Sequence, residues 1–73
     1  MSYNAMDVAK FIVSDGYENC KPVTNLRLQK LLYLVWIAYF KKKNDYLFRD
    51  TFHAWKFGPV VLNVYREFCK YLG

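Results

Sequence analysis

One histidine, two cysteines, three glycines and six carboxylates leave this chain of 73 residues little from which to build a chemical site. The glycines, Gly16, Gly58 and Gly73, are scattered, so no glycine-rich phosphate loop exists. The carboxylates stand singly along the chain and form no pair suited to hydrolysis. Cys20 and Cys69 do not make a disulfide framework, and reduced thiols in the cytoplasm are the expectation. A Cys-His nucleophile would need Cys20 or Cys69 to fold against His53, the one histidine, together with an orienting group, and is not favoured. Zinc is not favoured either, because no short ligand spacing occurs. The longest apolar run, Leu31 to Phe40, has ten residues. A membrane span needs about 20. The N-terminus has no basic start followed by an apolar stretch, so no secretory signal is read there. No repeat, low-complexity tract or linker appears. An enzyme is therefore not expected, and neither is a cofactor or a metal.

What the chain has in excess is apolar and aromatic surface. It is 55% hydrophobic and carries fifteen aromatic rings: six Phe, seven Tyr and two Trp. Disordered chains are poor in such residues. A chain of 8.8 kDa makes one domain. It exposes roughly 12,800 Å² unfolded and roughly 4,800 Å² folded. Each large aromatic buries about 150–250 Å², so a body this small is hard pressed to hide them all. Apolar surface left over for a partner, or a piece of a longer domain, is the first expectation. The charge is uneven as well. Residues 1–20 carry a net −2 and residues 21–73 a net +7, within an overall +5. That favours acidic partners, either a protein face or nucleic acid.

The pattern predicts a mainly α fold with a small β-hairpin: about three helices, the second central and buried. The first helix is placed near residues 5–14, with Asn4 as cap and Asp7 near the positive end of the dipole. Val8, Ala9, Phe11 and Ile12 form its apolar stripe, and Ser14-Asp15-Gly16 is expected to end it. A loop over residues 16–23 follows. Thr24 caps the second helix, with Val23 and Leu28 as a hydrophobic staple. That helix runs to about Phe40. Arg27, Gln29 and Lys30 form its polar side, and from Leu31 onward it is apolar all round, as a central helix should be. Lys41, Lys42 and Lys43 lie at its negative end. Tyr46 to Phe48 and Thr51 to Phe57 read as a hairpin turning at Arg49-Asp50. Gly58 stops the second strand and Pro59 opens the last helix. Val60, Val61, Val64, Tyr65, Phe68 and Leu72 form the apolar stripe of that helix. Alternation along Thr51 to Phe57 points Lys56 to water and makes Trp55 a core anchor. Three short elements cannot easily surround the second helix, so self-association, or reliance on a further C-terminal part, is expected.

Two segments carry a resemblance. Thr24 to Leu34 (TNLRLQKLLYL) and Ala54 to Phe68 (AWKFGPVVLNVYREF) resemble the Panacea antitoxin domain, the family of SocA-like and phage-associated GepA-like proteins. Asp7 to Ile12 (DVAKFI) is similar to the first helix of that family. The three segments fall in the family's order and spacing and together cover nearly the whole chain. Trp36 and Ile37 depart from the family's usual smaller or polar residues. The resemblance implies a mainly helical fold with a small β element. It also implies an antitoxin that neutralises a cognate toxin by direct protein contact, without catalysis or cofactor. Family domains continue past the helix that holds VYREF, so residues 1–73 read as a single Panacea-like domain that lacks the family's C-terminal part.

Carried over from the matching motifs as partner-contact candidates are Lys30, Lys56, Arg66, Tyr33 and Tyr65. Thr24, Asn25, Trp55, Gly58 and Pro59 are carried over as the structural part of the motif. The three cations stand out because buried lysine and arginine are rare unless paired. The rival reading is a small basic nucleic-acid-binding or regulatory module of phage or prophage origin. Tyr46, Phe48 and Trp55 could supply base stacking for it. It is not favoured, because the second helix is too apolar beyond Lys30 to lie in a groove as a recognition helix.

Overall fold

The computed structural model describes residues 3–72. Three helices and a two-stranded antiparallel hairpin follow in the order α1 (Ala5–Glu18), α2 (Asn25–Lys43), β1 (His53–Trp55), β2 (Gly58–Val60) and α3 (Leu62–Phe68). The fold is mainly α with a small β element, as the sequence implies.

Both long helices begin at the expected caps. The Asn4 side chain accepts from the Asp7 amide at 2.8 Å, and the Thr24 hydroxyl accepts from the Arg27 amide at 3.2 Å. A second carboxylate serves α1 from far along the chain: Asp50 accepts from the Ala5 amide at 2.9 Å. It supplies negative charge at the positive end of the helix and ties the connector after α2 to the start of α1. The Tyr3 amide donates to the Leu47 carbonyl at 2.8 Å and draws the same two segments together.

Helix α1 does not end at Gly16. It runs two residues further, because one glycine inside a helix costs only about 1 kcal/mol. It closes with a Schellman arrangement instead. The Cys20 amide donates to the Tyr17 carbonyl at 3.1 Å and the Lys21 amide to the Gly16 carbonyl at 2.7 Å. Cys20 takes the left-handed conformation, with φ at 56°. Gly16 matters here for space: a Cβ on it would lie 2.8 Å from the Lys21 carbonyl oxygen. Helix α2 likewise runs past Phe40 to Lys43, so the three lysines form its last turn, and Asn44 ends it at φ 54°.

The hairpin is displaced from its expected place. Its chain reversal falls on Lys56 and Phe57, not on Arg49-Asp50, and His53, Ala54 and Trp55 pair with Val60, Pro59 and Gly58. Gly58, at φ 120°, supplies the backbone conformation that a side chain would oppose. Pro59 is a strand residue rather than the start of a helix. A two-stranded ribbon leaves it an open edge where the missing N–H costs nothing. Helix α3 is consequently short. The predicted stripe is nonetheless buried at Val60, Val61, Val64, Phe68 and Leu72, its first two members coming from the strand and the turn after it.

The core joins Ala5 and Ala9 of α1 to Leu28 and Leu32 of α2. Leu47 and Phe48 of the connector, Val61, Val64 and Phe68, and Leu72 complete it. Helix α2 packs against α1, β2 and α3 and is central. It is not buried all round. Leu34 is 60% exposed, and Val35 and Phe40 are also open to solvent. Helix α1, the short helix α3 and a hairpin cover only one side of a 19-residue helix. Phe11, expected on the apolar stripe of α1, is 72% exposed, because it lies about 200° round the helix from buried Ala9. The accessible area of 5376 Å² is about 600 Å² more than a compact chain of this mass shows.

Candidate functional site

A buried polar network fixes the corner where the hairpin meets α3. Asn25 and Gln29, one turn apart on α2, are both buried. The Gln29 side chain accepts from the Val61 amide at 2.9 Å and donates to the Asn25 side-chain oxygen at 3.2 Å. The Asn25 amide group then donates to the Tyr65 carbonyl at 2.9 Å. Val61 is the cap position of α3 and has no side-chain cap of its own. Gln29 satisfies that amide from another helix. Sequence reasoning placed Gln29 on the polar side of α2 with Arg27 and Lys30. The structure buries it to 1% exposure. The available signal was its spacing of four from Asn25, which lets one amide side chain reach the other.

On this corner sit most of the residues singled out from the sequence. Trp55 ends β1, Lys56 lies in the turn, and Gly58 and Pro59 belong to β2. Tyr65 and Arg66 come from α3. The Trp55 ring meets the Tyr65 ring edge-on, with centroids 4.9 Å apart and planes at 69°. Trp55 is therefore not a core anchor: it is 40% exposed, and every residue of β1 is exposed. Alternation fails as a guide because β1 has solvent on both faces, the core lying only under β2. Phe57, which alternation sets on the same face as Trp55, is 66% exposed at the tip. The Lys56 ammonium lies 5.7 Å from the centroid of the Phe57 ring. Arg66 is exposed beside half-buried Tyr65.

The remaining candidates have other surroundings. Thr24 caps α2 and Asn25 belongs to the buried network, so both hold the fold. Tyr33 is half-buried, with its ring edge-on to Phe52 at 5.3 Å. Lys30 is exposed on α2, directly after Gln29. A second aromatic group, Trp36, Phe40 and Tyr46, stacks at 5.2–6.3 Å between centroids. The Trp36 indole donates to the Phe48 carbonyl at 3.1 Å, which commits that ring to the fold. Lysine and arginine side chains take no part in the side-chain hydrogen bonds among the described residues.

The hairpin thus presents two large exposed aromatics, with Lys56 over one of them, beside a base that buried hydrogen bonds hold at Val61 and Tyr65. Tryptophan, tyrosine and arginine are the residue types that dominate binding hot spots, and a rigid support reduces the ordering cost of binding. No helix among the described residues is long and apolar enough to cross a membrane.

Residues 28–73 match the family described as Antitoxin SocA-like, Panacea domain. Over 67 residues the chain is 40% identical to the Antitoxin SocA of Caulobacter vibrioides (strain NA1000 / CB15N). That overlap takes in 92% of this chain and 36% of that protein. The chain thus spans about a third of the length of the curated relative it matches. No solved structure gives a significant match.

Proposed function

The chain belongs to the Antitoxin SocA-like, Panacea domain family, and from that premise we propose that it acts by stoichiometric binding to a partner toxin protein in the cytoplasm, without catalysis or cofactor. The observation that supports this reading is the hairpin corner, where Trp55 and Phe57 remain open to solvent although the corner itself is fixed through Gln29 and Asn25. A protein gains no stability by rigidly displaying aromatic rings to water, whereas a partner that covers them recovers the apolar area. Lys56 and Arg66 border the rings and steer an acidic partner face, with Tyr65 behind them as support. Lys30 and Tyr33 extend the contact along α2.

Co-expression tests the proposal. The toxic product of a neighbouring reading frame should be silenced by this chain and should co-purify with it. Lys56→Glu together with Arg66→Glu should leave circular dichroism unchanged and release the toxin. Full silencing by that double variant would remove the hairpin corner from the interface. The second reading, nucleic-acid binding, rests on the net +7 of residues 21–73 and their uncommitted cations. Tight binding of duplex or single-stranded oligonucleotide with a steep salt dependence would favour it.

A further inference from the structure

Helix α2 turns one flank, through Gln29, Tyr33 and Trp36, to the residues that border the hairpin, Phe52 before it and Val61 after it. Its opposite flank carries Arg27, Leu31 and Val35, spaced by four so that they form one ridge. This ridge and a ridge of α1 bound a groove containing two hollows of different chemistry. The first, of about 470 Å³, is lined by Tyr3, Val8, Phe11, Val35 and Leu47, with Asp7 as its one charged residue. The second, of about 440 Å³, has Ile12 and Leu31 as apolar walls and Asp15, Lys21 and Arg27 as its charges. The Asp15 carboxylate already accepts from the Asn19 side-chain amide at 3.3 Å. Lys21 and Arg27 are exposed, and their side chains make no hydrogen bond among the described residues.

We propose that this groove docks one amphipathic helix of a partner protein in a fixed direction, with a large apolar side chain in the first hollow and a carboxylate in the second. Val35 and Arg27 are eight residues apart on α2, about 12 Å along the axis. Two anchors of the incoming helix therefore stand seven or eight residues apart, which is the usual reading of a helix held in a groove. The two uncommitted cations favour a carboxylate at one end. The apolar lining of the other hollow rejects one, because a carboxylate placed there would lose its water and gain no partner. Direction follows from that contrast. A second copy of this chain is a poorer occupant, since each copy carries a net +5 and the pair would repel.

The groove lies on the flank of α2 away from the hairpin corner, so this proposal goes beyond the toxin reading and stands or falls without it. The probe is a fluorescein-labelled synthetic helix of fifteen residues, mostly Ala with solubilising Gln, carrying Phe at one position and Glu seven residues on. Its twin carries Lys in place of that Glu. Anisotropy titration with the whole chain should show saturable binding of the Glu peptide and about tenfold weaker binding of the Lys peptide. Arg27→Glu should reverse the preference, and Val35→Asp should abolish binding of both peptides, each with unchanged circular dichroism. Equal affinity for the two peptides, or no saturation by the Glu peptide, would overturn the proposal. So would sedimentation showing a dimer that Val35→Asp dissociates, because the groove would then belong to a second copy. Tight oligonucleotide binding that Arg27→Glu abolishes would also overturn it, assigning the two cations to phosphate instead.

Discussion

Replacing Gln29 by methionine keeps the volume of the side chain and removes both of its hydrogen-bonding groups. The Val61 amide then loses its acceptor and the Asn25 oxygen loses its donor. Both groups belong to residues buried to 2% exposure or less, so water cannot take the place of Gln29. Each orphaned group costs about 1–3 kcal/mol, which gives a loss of roughly 2–6 kcal/mol for the pair. A core of this size supplies only about 3–5 kcal/mol, so Gln29→Met should lose about half or more of its stability at 25 °C. Urea denaturation followed by circular dichroism measures the effect. Gln29→Glu separates hydrogen bonding from packing. A protonated glutamic acid offers one acceptor to Val61 and one donor to Asn25, as glutamine does. Burial raises its folded pKa above the unfolded value of about 4.3. A raised acid pKa means that stability is retained below that value and falls as pH rises through it. Gln29→Glu should therefore approach the native protein near pH 4 and lose stability towards pH 7. A Gln29→Met protein within about 0.5 kcal/mol of native would refute the reasoning, since it would place the lost hydrogen bonds below the ordinary effect of a surface change.

Trp55→Ala should stay folded. It removes a partly exposed ring and one edge-on aromatic contact, the latter worth about 0.5–1.5 kcal/mol, and should weaken toxin binding by roughly 2 kcal/mol or more. Urea denaturation and a binding titration on the same variant separate the two effects. Gly16→Ala sets a Cβ 2.8 Å from the Lys21 carbonyl. The closing loop must shift, costing about 1–3 kcal/mol against a helix-propensity gain of about 1 kcal/mol, and the melting temperature should fall. Cys20→Gly relieves a left-handed residue at φ 56° and should stabilise the protein by about 1 kcal/mol, read as a rise in melting temperature.

Local chemistry made much of the fold legible. Asn4 and Thr24 are caps wherever they precede an apolar stripe, and the Val60 to Leu72 periodicity found the buried set of the last segment. The hairpin register was harder to read, because Lys56-Phe57 carries no turn signal of its own. Only the partner position, Gly58, shows where the chain reverses. Trp55 was misplaced for a related reason. Alternation states which residues share a face but not whether either face has a core beneath it. Gln29 could not be placed by polarity, since its partner Val61 lies 32 residues away. The surface over α2 was anticipated from arithmetic: a ten-residue apolar run exceeds what three short elements can cover. Of the candidate contact residues, Lys56 and Tyr65 lie where the hairpin meets α3, Arg66 follows Tyr65 on that helix, and Lys30 and Tyr33 lie along α2; Thr24 and Asn25, taken as structural residues of the motif, spend their polar groups on the fold.

The central claim is that the chain silences a toxin by occupying it. The direct measurement is residual activity of the purified toxin against increasing amounts of the purified chain, with toxin well above the dissociation constant. Binding predicts a linear fall that ends at a fixed molar ratio, with activity restored when the chain is stripped from the complex. Silencing by a small fraction of an equivalent, or activity that stays lost after the chain is removed, would contradict the account and indicate catalysis.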